Sequence, residues 1–203
     1  LRDGATIETL DMARDEITED RIIRGMVGRD LKHRYPERTP NIGETIFEVR
    51  DWNVYHPRQP DRRVIKDVSF HIRRGEVVGI AGLMGAGRTE LAMSLFGRAY
   101  GKRISGRILK NGKPVELPDI PAAIRNGIAY VTEDRKHYGL VLIQDIRRNT
   151  TLGKLRKVAP RGVIDERREI LEVEGYRRRL NIKTPNIRQT VMNLSGGNQQ
   201  KVV

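Results

Sequence analysis

The sequence predicts an α/β fold, and three observations carry that expectation. A short apolar run, Val77-Val78-Gly79-Ile80-Ala81, has the content of a strand buried on both faces. It leads without a break into Gly82-Leu83-Met84-Gly85-Ala86-Gly87-Arg88-Thr89, and residues 89–96 then have helical character. A second apolar run, Ile128-Ala129-Tyr130-Val131, follows a predicted helix and reads as another buried strand. Strand, glycine loop and helix is the local order in which a chain cradles phosphate.

The elements follow in order. Leu1 to Ile7 reads as a strand, an Asp3-Gly4 turn and the start of another strand. Ile17, Ile22, Ile23, Met26 and Val27 give residues 16–28 a helical apolar spacing that ends near Gly28. Pro36, Pro40 and Gly43 mark residues 32–44 as a linker, so residues 1–44 form the tail of one domain joined to another. From Thr45 a strand begins with Ile46, Phe47 and Val49. Val64 to Ile72 supplies a second, with Val68, Phe70 and Ile72 alternating, across a turn-rich loop at 56–61. Trp52 falls on the apolar side of the first strand and belongs to the core. Arg107 to Lys110 enters an Asn111-Gly112 hairpin turn, and Ile120–Arg125 is helix. Residues 144–180 are mainly helical, with Gly162 and Gly175 as breaks, and Ser195 is placed to cap a further helix.

Composition narrows the function classes. There is no cysteine, which excludes disulfides and thiolate metal sites and suits a reducing compartment. No stretch approaches the roughly 20 apolar residues of a membrane-spanning helix. The opening at Leu1 lacks both an initiator Met and the apolar stretch of a secretory signal, so the chain is expected to be a fragment. Lys and Arg number 39 against 26 acids, a formal net charge of +13. That favours phosphate, lipid headgroups or nucleic acid. With aromatics at 5%, stacking platforms for bases are sparse, and nucleic acid is not expected as a partner. His33, His56, His71 and His137 have no ligand-like spacing and none is assigned to metal.

Two motifs carry chemistry. Gly82, Gly85 and Gly87 allow the backbone to turn successive N–H groups toward an anion, and the helix starting near Arg88 points its positive end at the same place. Thr89 stands where a Mg²⁺-binding hydroxyl belongs, and Glu90 follows it in the first turn. Arg88 occupies the position where the usual pattern has Lys; it keeps the charge in a bulkier, planar form. Without that Lys, a plain strand–helix turn remains an alternative for this loop on its own. The second motif is Leu194-Ser195-Gly196-Gly197-Asn198-Gln199-Gln200-Lys201, where Ser195 offers a hydroxyl and two glycines permit close approach of phosphate to the backbone.

In this order the two runs resemble the phosphate loop and signature motif of ABC-transporter ATPases. The text Gly79 to Glu90, then Val131-Thr132-Glu133-Asp134-Arg135-Lys136, then Leu194 to Lys201, is most similar to the tandem ATP-binding subunits of bacterial monosaccharide importers of the ribose, xylose and galactose type. The run Arg21 to Arg29 is similar to their linker. The resemblance implies an α/β phosphate-loop fold of the ABC ATPase type, with an antiparallel β subdomain and a helical signature subdomain, present incompletely. Residues 1–44 would be the tail of a first cassette with its linker, and residues 45–203 the N-terminal part of a second. The β subdomain and phosphate loop would span about 45–135 and the helical subdomain about 140–203.

The resemblance also implies roles. Gly82, Gly85, Ala86, Gly87, Arg88, Thr89 and Glu90 would bind the phosphates of ATP, with Tyr55 stacking on adenine and His56 in reserve. Leu194, Ser195, Gly196, Gly197, Asn198 and Gln199 would form the signature facing the nucleotide of the other cassette. Glu133 matches the position of a Gln that senses Mg²⁺ and the membrane partner, so Thr89 and Glu133 are the expected contacts to ATP-bound Mg²⁺. Partners implied are the other cassette of the same chain, integral membrane permeases and, indirectly, a periplasmic sugar-binding protein, at the cytoplasmic face of the membrane. In such proteins an Arg in the second phosphate loop accompanies a less competent site. The Walker B acids would lie beyond Val203, so no catalytic residue is expected here and the fragment alone is expected to be inactive. The alternatives are a soluble ABC ATPase acting on ribosome or nucleic acid, and a nucleotide-binding remnant without turnover.

Overall fold

The computed structural model describes residues 5–27 and 39–203. They fall into two compact units, one within residues 1–45 and 72–78, the other formed by 46–71 and 79–203. In the first unit, α1 (Glu19–Val27) is the helix expected over 16–28. It begins where Thr18 Oγ1 accepts from the Arg21 amide at 3.3 Å, and Glu19 and Asp20 sit in its positive first turn. The Arg21 guanidinium ties the helix to Glu8 and Asp15 at 3.2 and 3.4 Å. Elsewhere in this unit Gly75 makes a tight turn at φ +71, where a Cβ would stand 2.4 Å from the Asn41 carbonyl oxygen. The Asp3-Gly4 turn and residues 32–38 of the expected linker lie outside the described residues.

The second unit is built on a four-stranded sheet in the order β2-β1-β3-β4: β1 (Thr45–Tyr55), β2 (Arg63–Arg73), β3 (Lys102–Lys110) and β4 (Lys113–Val115). β3 pairs antiparallel with both β1 and β4. The β3–β4 connection is the expected Asn-Gly turn, with φ +49 at Asn111 and +75 at Gly112, the left-handed pair a two-residue hairpin needs. Val49, Trp52 and Val54 of β1 are buried with Ile65, Ile108 and Leu117, and Leu91 of α2 (Arg88–Leu95) closes over them. Trp52 lies in the core, as its place in the strand pattern requires. Its indole Nε1 donates to Ser94 Oγ at 3.0 Å, and that hydroxyl donates to the Leu91 carbonyl at 2.8 Å, pinning α2 to the sheet. α3 (Ile120–Arg125) has the expected bounds, capped by Asp119 Oδ1 accepting from Ala122 N at 2.7 Å.

The remaining helices enclose a second apolar cluster: Leu140, Ile146, Val173, Ile182, Ile187, Val191, Leu194 and Val202. α4 (Ile146–Leu152) and α5 (Glu166–Arg179) are each capped by an aspartate, Asp145 and Asp165. α6 (Gly196–Val202) follows. Between α4 and α5, the buried Glu169 accepts from Thr151 Oγ1 at 2.8 Å and faces Arg147 Nη1 at 3.3 Å.

Three expectations are corrected. Val77–Ala81 and Ile128–Val131 are not buried strands; both runs are irregular, and Val77, Ile80 and Val131 are exposed. A doubly buried strand exists only between pairing neighbours, and among the described residues none pairs with either run. Gly162 does break the helical stretch, at φ +80, but Gly175 lies within α5 in ordinary helical geometry. Its helix-forming neighbours outweigh a cost of about 1 kcal/mol for one glycine. Ser195 occupies the N-cap position of α6 but caps nothing with its side chain. Its hydroxyl accepts instead from Asn198 Nδ2 at 3.0 Å.

Candidate functional site

The glycine loop is shaped by its own sequence. Ala86 N donates to Leu83 O at 3.1 Å and closes a turn whose following residue, Gly87, is left-handed at φ +86. A side chain at Gly87 would meet Ile65 Cδ1 at 3.1 Å as well as an unfavourable backbone angle. At Gly82 a Cβ would stand 3.0 Å from that of Ala86 and 3.7 Å from Arg88 Cδ, so the Arg88 side chain folds back beside the start of the loop. Gly85, at φ +79, faces open space. α2 starts after Gly87, which supplies no side-chain cap. Its first-turn N–H groups therefore have no partner within the helix and are available to an anion. Leu83 and Met84, at the tip of the loop, are 86% and 97% exposed, so none of the described residues covers it.

Arg88, Thr89, Tyr130, Val131 and Glu133 line one shallow, wide-open cavity of about 290 Å³. Thr89, Glu90 and Glu133 also line a larger cleft of about 980 Å³, whose aromatic wall includes Phe96, Tyr100 and Tyr130. The structure thus brings together the residues assigned to phosphate and metal from two segments distant in sequence. Phe96 and Tyr130 stack at 5.9 Å and hold the end of α2 against the segment leading to Glu133. Burial raises the Tyr100 phenol above its ordinary pKa, with the Glu90 carboxylate adding to the effect, so a neutral hydroxyl faces the cleft.

Tyr55 sits at the end of β1 opposite Lys102 and is not part of the cleft wall. His56 reaches the cleft only through an edge contact with Tyr100 at 6.4 Å. No motif marks Tyr100, and Tyr130 belongs to the run read as a buried strand; the fold places both in the wall of the cleft that Thr89 lines. After Glu133, Asp134 accepts from the amides of Lys136 and His137 at 3.1 Å each and from His137 Nδ1 at 2.7 Å. Those bonds, the His137 amide first, hold the Asp134 carboxyl below its ordinary pKa.

The Ser195-Gly196-Gly197 turn lies apart from this cavity; only Val202 and Val203, at the far end of α6, reach the cleft. The turn is firmly held. Asn198 donates to Ser195 Oγ and its Oδ1 accepts from Lys183 N at 2.9 Å. Leu194 is buried in the helical cluster. Gln199 is buried and donates to Val191 O at 3.1 Å. A Cβ at Gly197 would meet no atom of the described residues within 4 Å, leaving that side of the turn open among them.

A family model described as ABC transporter matches residues 65–203. Over all 203 residues the chain is 64% identical to the L-arabinose transport ATP-binding protein of Geobacillus stearothermophilus, covering 40% of that protein. It is 48% identical to the xylose import ATP-binding protein of Thermoanaerobacter pseudethanolicus, again covering 40% of it. To the ribose import ATP-binding protein of Bacillus subtilis it is 41% identical, covering 39%. The chain therefore spans about two fifths of the length of these relatives. Among solved structures, cbiO1 of Clostridium perfringens, part of the ABC transporter complex cbiONQ, shares the fold with a TM-score of 0.57. That match has 22% identity and covers 79% of this chain and 59% of that one.

Proposed function

The chain belongs to the ABC transporter family, and from that premise we propose that it is part of an ATP-binding subunit that powers monosaccharide import. The observation that carries the reading is the shared cavity of Arg88, Thr89 and Glu133, in a chain whose relatives are named as arabinose, xylose and ribose import proteins. The same relatives give no support to action on ribosomes or nucleic acid.

The glycine loop fits a triphosphate: Gly85 and the exposed tip are open, Gly87 leaves the helix N-terminus uncapped, and Arg88 lies beside the loop. Loop amides, the first-turn amides of α2 and the Arg88 guanidinium would hold the phosphates. Thr89 Oγ1 and the Glu133 carboxylate would hold Mg²⁺, both being oxygen ligands of the kind it takes. ATP supplies, when bound, an anhydride whose cleavage releases the free energy for transport. Tyr100 and Tyr130 are positioned to flank whatever enters the cleft, and Tyr55 remains the proposed adenine contact of the family pattern.

Ser195 to Gly197 would face the nucleotide of a second cassette, since this turn and the Arg88 cavity are separate. Residues 45–135 and 140–203 would then be the nucleotide-holding and signature subdomains, with residues 1–44 as the tail of a preceding cassette and its linker. Permeases in the membrane and the second cassette are the proposed partners, at the cytoplasmic face. The test is uptake of labelled arabinose, xylose and ribose by cells that carry the whole gene or lack it. Loss of uptake of one sugar, restored by the gene but not by a Thr89→Ala copy, supports the reading. Unchanged uptake of all monosaccharides tried overturns it.

A further inference from the structure

The acidic loop after Tyr130-Val131 and the signature turn are far apart in sequence, yet one side chain joins them. Arg135 lines the cleft beside Glu133 and, in the other direction, its Nε donates to Gln199 Oε1 at 3.1 Å. Gln199 is 5% exposed, and its amide nitrogen is committed to Val191 O. Both ends of that buried amide are thus fixed, and neither can change partner without leaving a polar group unpaired.

The guanidinium also lies close against Gly196. A Cβ at Gly196 would stand 2.8 Å from Arg135 Nη2 and 3.6 Å from its Cζ, whereas one at Gly197 would meet none of the described residues within 4 Å. The two glycines therefore have different reasons: Gly196 makes room for Arg135, and Gly197 leaves the turn open on its other side. A second contact lies at the end of the same loop, where a Cβ at Gly139 would meet Val203 Cγ2 at 3.1 Å and Thr132 Cγ2 at 3.0 Å. Within the loop from Thr132 to Gly139, residues 135–139 form a tight π-helical turn whose start is held by Asp134. It grips α6 at both ends.

We propose that Arg135 is a positioning residue that transmits displacement of the Glu133 loop to the Ser195–Gly197 turn, and so sets how well that turn receives a nucleotide phosphate. The inference rests on the function proposed above. Arg135 makes no contact with the reacting atoms in this account. It acts through Gln199 and Gly196: if the loop withdraws, the guanidinium leaves Gly196 and Gln199 Oε1 loses its donor, and α6 is freed at its first turn.

The test is a double-mutant cycle of Arg135→Ala and Gln199→Ala in the protein as the cell makes it. Two quantities are read: amide hydrogen exchange over residues 195–200, and the ATP concentration giving half-maximal hydrolysis. The bond has a charged donor, so Arg135→Ala is expected to speed exchange at 195–200 by about tenfold or more, with the double variant no faster than the faster single. Half-saturation by ATP is expected to rise by about the same factor while kcat changes less, and Arg135→Lys, which keeps a charged donor, recovers most of the loss. Exchange left unchanged by Arg135→Ala, or additive effects in the double variant, overturns the inference. So does faster exchange with half-saturation within about twofold of the unaltered protein, since the tie would then be only structural. If the unaltered protein hydrolyses no ATP, it is the proposed function that fails, and the exchange data alone then decide whether Arg135 holds the turn.

Discussion

Replacing Ser94 by Ala removes one hydroxyl at the point where α2 is pinned to the sheet. Trp52 Nε1 and Ser94 Oγ are 3.0 Å apart, and the two residues are 3% and 1% exposed, so water cannot replace the lost acceptor. A stranded buried donor costs about 1–3 kcal/mol. The hydroxyl's own bond to Leu91 O is a local one within α2, and its loss is partly offset by the better helix propensity of alanine, a few tenths of a kcal/mol. The net expectation is a loss of roughly 1–2 kcal/mol. Trp52 is the only tryptophan of the chain, so its emission reports this point during urea unfolding. With an m value of about 2 kcal/mol/M, the midpoint should fall by about 0.5–1 M with the slope unchanged. In the Trp52→Phe background, followed by circular dichroism, Ser94→Ala should cost much less, because no donor is left to strand. A midpoint shift below about 0.2 M, or equal costs in both backgrounds, would refute the claim that this bond fixes the helix bearing Arg88 and Thr89.

Other perturbations follow from the same geometry. Gly175→Ala fills open space on a regular helix and should stabilise the chain by about 0.5–1 kcal/mol, read as a raised Tm; a lowered Tm contradicts its placement in α5. Glu169→Ala takes from Arg147 its nearest carboxylate and leaves the more distant Glu166 and Asp145 at 3.7 and 3.9 Å, so a loss of about 2–3 kcal/mol is expected by chemical denaturation; a loss under about 1 kcal/mol contradicts the buried pair. Asp134 is held below the ordinary carboxylate value of 3.8, so the bonds it accepts contribute fully above that pH and are lost as pH falls through the lower folded value. The amide resonances of Lys136 and His137 should therefore shift together with a midpoint below 3.8; a midpoint at or above it shows that the turn is not held this way.

What could be read from sequence was whatever is decided locally. The Asn111-Gly112 turn, the Ile120–Arg125 helix and the alternation that buried Trp52 depend on neighbours a few residues away, and each is found as expected. The glycine loop was legible for the same reason, since φ +79 and +86 at Gly85 and Gly87 are conformations suited to glycine. Burial of Val77–Ala81 and Ile128–Val131 depends on pairing with other strands, which an apolar run cannot specify. The Ser195 hydroxyl had two acceptable uses, a backbone cap or the Asn198 amide, and only the packed turn chooses between them. Nothing local marks Tyr100 and Tyr130 as neighbours of Thr89, or Arg135 as a partner of Gln199. Their places beside Thr89 and Gln199 exist only after the segments have been brought together.

The measurement that bears most directly on the central claim is a calorimetric titration of the protein with MgATP, repeated with Arg88→Ala and Thr89→Ala. The account predicts saturable binding that needs Mg²⁺, is weakened about tenfold or more by either substitution, and is unaffected by Gly175→Ala, which lies outside the site. Absence of binding, or binding that neither substitution alters, would contradict the assignment of the glycine loop as the nucleotide site.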